Sequence, residues 1–178
     1  MTDDQLIARI ADAALLRGDF TLRSGRKSKY YLDKYRFATQ PDILAALGQK
    51  FAQVIEKQNP KVDRLAGPEL GGVPLVTAAA LATGLPMVLI RNAKKDYGTA
   101  QQFEGVLHQG ERILITEDIA TTGGQSIEAA RLLRDELNID VAGIVVVIDR
   151  EEGARENVES AGFNFEALFT KTQLGIDE

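Results

Sequence analysis

Residues 141–149 read VAGIVVVID and are apolar up to the final aspartate. Successive side chains of a strand leave opposite faces, so this segment must be covered twice. A strand buried on both sides belongs in the interior of a parallel sheet with helices on either face. The pattern around it agrees. A short strand at Arg64–Ala66 runs into the glycine-rich turn GPELGG, and the apolar helix VPLVTAAALAT ends at Gly84. The strand MVLIR precedes a polar stretch, NAKKDYGTAQQFEG; RILIT then leads into EDIATTGG, and a helix is predicted from Gln125 to about Leu137. Alternation of strand and helix predicts an α/β fold with a central, mainly parallel sheet flanked by helices.

The amino-terminal part reads differently and predicts a small strand and helix hood. Thr2 and Gln5 form a capping-box pattern. Leu6, Ile7, Ile10, Ala14 and Leu15 then recur at helical spacing, with Gly18 as the expected stop. FTLRSGRKSKYYLDK predicts two short strands around a Ser-Gly turn. Pro41 opens a second helix whose buried stripe is expected to be Ile43, Leu44, Leu47, Phe51, Val54 and Ile55. With 178 residues and no linker-like or repeated segment, residues 1–178 are expected to form one domain.

Composition removes several function classes. There is no cysteine, hence no disulfide, thiolate nucleophile or cysteine-bearing zinc site, and the single His108 cannot build a histidine cluster. A net charge of −5 argues against general nucleic-acid binding, which needs clustered positive surface. No apolar run approaches the ~20 residues of a membrane span, and MTDDQLIARI lacks the order of a secretion signal. A cytoplasmic protein is expected, with no membrane or nucleic-acid partner.

The chemistry concentrates in Ile113–Ser126, ILITEDIATTGGQS. An apolar strand ends in the adjacent carboxylates Glu117 and Asp118, followed by small residues, two glycines and a helix start. Ligands of open α/β sheets bind at the carboxyl ends of the strands. Thr121-Thr122-Gly123-Gly124 suits a phosphate: the glycines admit the backbone, the hydroxyls donate, and the helix beginning near Gln125 offers free N–H groups and a positive dipole end. Phosphate repels the two acids, so their task lies beside it, on sugar hydroxyls or a hydrated cation. A plain turn with solvated acids is the bland alternative. A dinucleotide loop is the other, but it places G-x-G-x-x-G straight after the strand and its acid about 20 residues later, and no such pattern occurs.

An apolar strand, two acids, two small or apolar residues and Thr-Thr-Gly-Gly resembles the phosphoribosyl-diphosphate signature of type I phosphoribosyltransferases. Three further segments are similar to the orotate enzymes of that family: FTLRSGRKSKYYLD to their amino-terminal strand pair, RNAKKDYGTAQQFEG to their mobile catalytic loop, and DREEGARE to their D-R-x-E-G segment. The resemblance covers roughly residues 14–170. It implies transfer of ribose 5-phosphate from phosphoribosyl diphosphate to orotate, giving orotidine 5′-monophosphate and pyrophosphate, with Mg²⁺ carried mainly by the substrate. Lys95, Asp118 and Glu117 take the catalytic positions. Arg91 and Lys95 match positions that bind pyrophosphate, and Ile119, Ala120, Thr121, Thr122, Gly123, Gly124, Gln125 and Ser126 complete the donor site. Thr121, Arg150, Arg23 and Tyr31 fall at orotate positions, with Tyr30 in the same aromatic pair. Sites shared across a homodimer are implied, so that Lys95 serves the neighbouring subunit.

For Arg91, Lys94 and Lys95 the alternative is a solvated face, and for Arg150 a salt bridge to Glu151 or Glu152. Ala66–Gly72 lies where the family has its pyrophosphate loop. The chain departs from the family at Asn92, where a second lysine is usual, and at Tyr97, where histidine is usual. A purine-directed transferase, or a regulator sensing phosphoribosyl diphosphate, are the rival functions.

Overall fold

The computed structural model describes residues 1–21, 25, 27–93 and 101–176. A two-stranded hood packs on a six-stranded sheet. Helix α1 (Asp3–Ala14) opens with the expected capping box, Gln5 N–H donating to Thr2 Oγ1 and Thr2 N–H to Gln5 Oε1. It stops at Ala14, short of Gly18. Leu15 instead begins strand β1 (Leu15–Thr21), which pairs antiparallel with β2 (Lys27–Leu32) and absorbs Gly18 where the register shifts between Arg17 and Phe20. Helix α2 (Lys34–Ala38), capped by Asp33, follows, and then α3 (Pro41–Glu56) with Pro41 in its first turn. Every residue of the expected α3 stripe is buried except Leu44, which is partly so.

The sheet runs β5-β4-β3-β6-β7-β8. Strands β3 (Arg64–Pro68), β4 (Met87–Ile90), β6 (Arg112–Ala120), β7 (Asp140–Asp149) and β8 (Phe165–Thr170) are parallel; only β5 (Phe103–Glu104) runs antiparallel, against β4. Helix α4 (Gly72–Thr83) joins β3 to β4 and ends at Gly84, whose left-handed backbone (φ 75°) suits a residue without a side chain. Helix α5 (Gly124–Arg131), continued by a π-helical turn over Leu132–Glu136, joins β6 to β7, and α6 (Ala154–Ser160) joins β7 to β8.

Two apolar layers follow from the strand alternation. Leu65, Leu114, Val145 and Val147 meet α1, α3 and α4 on one face, and Ile113, Ile115, Ile144 and Val146 meet α5 and α6 on the other. At the amino ends of β3 and β6, Arg64 grips Glu111 with two bonds of 2.8 and 2.7 Å, which holds the Glu111 carboxyl down at about 2. That pair is fully satisfied and structural. No helix of the described residues is long and apolar enough to cross a membrane.

Candidate active site

From β3 the chain turns first to β4 on one side and later to β6 on the other. The carboxyl ends of β3 and β6 therefore flank the point where the sheet order reverses, the place where open α/β sheets take ligands. Two loops meet there, 68–72 after β3 and 121–124 after β6.

The second loop encloses a hollow of about 400 Å³ lined by Glu117 and residues 119–126, within the range of small-ligand pockets. Gly123 has a left-handed backbone (φ 75°), and a Cβ there would lie 2.8 Å from Val158. Only glycine lets the loop take this turn against α6. Asn157 on α6 braces the loop by donating to the Thr122 carbonyl at 3.0 Å. The first N–H groups of α5 consequently point into the hollow with no helical partner, a fixed anion cradle.

The acids do not end the strand, as the sequence suggested. Strand β6 continues to Ala120 because the longer β7 keeps pairing as far as Asp149, so Glu117 and Asp118 stand inside it and face opposite sides. Glu117 lines the hollow beside Ser126, Oγ to Oε2 3.5 Å. Asp118 turns toward the hood, with Lys34 Nζ 2.9 Å from its Oδ2. That oxygen is buried, and the ammonium is the charge set against it. Burial pushes Glu117 up to about 8, and the neighbouring charge of Asp118 adds to this. Burial likewise raises Asp118, opposed by Lys34. The pair is the only place among the described residues where two buried carboxylates adjoin, and perturbed groups of this kind collect at functional sites.

Around this centre, Gln125 donates to the Glu69 carbonyl (2.7 Å) and to Asn92 Oδ1 (3.3 Å), while Asn92 N–H donates to Glu69 Oε1 (2.8 Å). Asn92 thereby ties both loops to the end of β4. Arg91, next to it, lies 3.5 Å from Glu104, and its buried Nε finds no partner among the described residues. Arg150 follows β7; it donates to Tyr30 Oη at 2.9 Å and pairs with Glu152 at 3.0 Å, with its Nε also unpartnered. The alternative reading of Arg150, a bridge to Glu152, is therefore present alongside a contact to the hood. Tyr31 is on the other side of β2, exposed and 5.7 Å from Phe20, so Tyr30 rather than Tyr31 meets Arg150. Thr121 is partly exposed on the rim, and His108 is exposed. Arg23, Lys94, Lys95 and Tyr97 lie outside the described residues. Lys34 and the bridging role of Asn92 gave no sequence signal, since neither lies near the signature in the chain.

A testable consequence concerns Glu117. At low pH the carboxyl carries its proton in both the folded and the unfolded chain. As pH rises past the ordinary value the unfolded chain ionises first, so stability falls until about 8, where the buried group ionises too. Glu117→Gln is expected to be more stable than wild type at pH 8 by about 1–3 kcal/mol, with the gap closing by pH 5. Denaturant unfolding at both pH values measures this; parallel pH profiles would remove burial of the charge as its cause.

Comparisons with known proteins agree with this geometry. The model of the phosphoribosyl transferase domain matches residues 36–172. The orotate phosphoribosyltransferase of Pyrococcus horikoshii is 42% identical over 172 residues, 96% of this chain and 92% of that one. That of Natronomonas pharaonis is 42% identical over 178 residues, covering 99% of each. The solved structure of the Mycobacterium tuberculosis orotate phosphoribosyltransferase in complex with 5-phospho-α-D-ribosyl 1-diphosphate superposes with a TM-score of 0.83 at 27% identity, over 98% of this chain and 99% of that one.

Proposed function

The chain belongs to the orotate phosphoribosyltransferases, within the phosphoribosyl transferase domain family, and from that premise we propose which of its groups carry the transfer. The reaction joins a ring nitrogen of orotate to the anomeric carbon of phosphoribosyl diphosphate as the bond to pyrophosphate breaks. Positive character develops on the ribose and negative charge on the leaving group. The observation that carries the assignment is the pair Glu117 and Asp118, buried at the sheet's reversal point beside the anion cradle of α5.

The 5′-phosphate lies in the hollow of residues 119–126, held by the backbone N–H groups and by the hydroxyls of Thr121, Thr122 and Ser126. Glu117 and Asp118 accept hydrogen bonds from the ribose hydroxyls. Arg91, with an unspent buried donor, and Lys95 bind the departing pyrophosphate. Arg150, Thr121 and Arg23 surround orotate, and Tyr30, the inward member of the tyrosine pair, fixes the Arg150 guanidinium through its hydroxyl. Mg²⁺ is held chiefly by the donor's own oxygens, with Glu117 and Asp118 nearby. When bound, the ion offsets charge on the diphosphate.

The same reading treats residues 1–178 as one domain, since hood and sheet share one apolar cluster, and places it in the cytoplasm. It also makes the protein a homodimer. An apolar groove of about 550 Å³ between α3 and α4, with Leu81 83% exposed on its rim, supports a second copy there. Nothing in the relatives favours transfer to a purine or a purely regulatory role.

Loss of orotate absorbance with phosphoribosyl diphosphate and Mg²⁺ tests the activity; folded protein that consumes none would refute it. Arg150→Ala separates base recognition from donor binding. A satisfied buried charge discriminates strongly because its loss leaves a partner unpaired. The orotate KM is expected to rise about 10- to 100-fold, with the donor KM changing little. Equal effects on both substrates would make Arg150 structural.

A further inference from the structure

Loop 68–72 contains Pro68, Glu69, Leu70, Gly71 and Gly72, so the charge it brings to the site is negative. A loop that faces a pyrophosphate needs a cation from elsewhere. The structure supplies one from the hood. Lys34, the first residue of α2, extends its ammonium to within 2.9 Å of Asp118, and a Cβ on Gly71 would lie 3.3 Å from that Nζ and 1.5 Å from Asp118 Oδ2. Gly71 is therefore the opening through which lysine, carboxylate and loop backbone meet: any side chain there would drive into the carboxylate. Asp118 is buried while Lys34 remains a third exposed, so one partner is fixed and the other is free to turn.

We propose that Lys34 is a donor-binding residue that changes partner: it neutralises Asp118 in the ligand-free site and turns to the pyrophosphate group when a ribose hydroxyl takes the carboxylate. This rests on the assignment of Asp118 to the ribose. Before donor arrives, the ammonium stands in for the missing positive charge and opposes the protonation that burial favours. Once the hydroxyl donates to Asp118, Lys34 remains beside the loop backbone, within reach of an anion bound there. The hood thus contributes a charge to the donor as well as contacts to the base.

Titration calorimetry on the full chain with two probes, pyrophosphate with Mg²⁺ and ribose 5-phosphate, tests this. Lys34→Met keeps the apolar stem without the charge, and Lys34→Gln provides a second variant should the first prove insoluble. Either is expected to weaken pyrophosphate binding about tenfold or more, the loss of one hydrogen bond to a charged group. Ribose 5-phosphate binding does not fall, because no ammonium then has to be displaced from Asp118. Unchanged pyrophosphate binding would overturn the inference. So would an equal loss for both probes, which would reduce Lys34 to a residue that merely positions Asp118. Wild-type protein that bound neither probe would overturn the site assignment itself, a result distinguishable from both.

Discussion

Asp118→Asn is expected to lower kcat/KM for phosphoribosyl diphosphate by about a hundredfold or more while leaving the melting temperature unchanged or higher. The substitution preserves shape, so the packing against Gly71 survives. It removes a charge that burial makes costly, and the exposed part of Lys34 lets its ammonium move to solvent. The fold therefore loses little. Catalysis loses more, because positive character develops on the ribose next to this carboxylate. In a site of low dielectric, a fixed negative group is worth several times what it would be in water. Steady-state kinetics with the donor varied, beside thermal unfolding, measures both. A fully active Asp118→Asn enzyme would contradict the role, whereas an unfolded one would show that Lys34 and Asp118 chiefly hold hood and sheet together.

Fold class was legible because burial on both faces leaves a mark that one strand can carry. VAGIVVVID could be nothing but an inner strand, and β7 indeed has β6 and β8 on either side. Boundaries were less legible where tertiary pairing overrides local signals. Gly18 suggested a helix stop, yet Leu15 already pairs with Leu32 across the hood. The strand from Arg112 was expected to end in the two acids, but pairing with β7 carries it to Ala120. The two-residue β5 has too little pattern to be recognised, and it forms because β4 offers it an edge.

The site divides in the same way. Glu117, Asp118 and the loop to Ser126 are contiguous, so strand, turn and helix start could be read together. Groups brought in from other elements could not. Lys34 lies 84 residues from Asp118 along the chain and follows an unremarkable tyrosine pair. Asn92 looked like a lost charge, whereas in the fold its backbone N–H and side-chain oxygen join Glu69 to Gln125. A lysine there would lack the acceptor that receives Gln125, so this departure has a use within the loop network. Strand alternation explains why Tyr30 rather than Tyr31 meets Arg150: neighbouring residues face opposite ways, and a motif one residue wide does not say which way is inward.

The remaining prediction concerns Lys95, which stands where the resemblance puts a pyrophosphate-binding lysine and lies outside the described residues. On the proposed reading its ammonium sets a positive charge against the leaving pyrophosphate, which counts for more in a site of low dielectric. Lys95→Ala is therefore expected to lower kcat by about 10²- to 10³-fold, the effect of removing one donor to a developing anion, with a smaller change in donor affinity. If Lys95 serves the neighbour's site, Lys95→Ala and Asp118→Asn are defects of different subunits at each active site. In a mixed dimer, one site then carries both defects and the other carries neither. Mixing the two inactive proteins under conditions of subunit exchange should restore activity, up to half the wild-type value in each heterodimer. Absence of recovery, with exchange verified by labelled subunits, would place Lys95 in its own chain's site or outside the reaction.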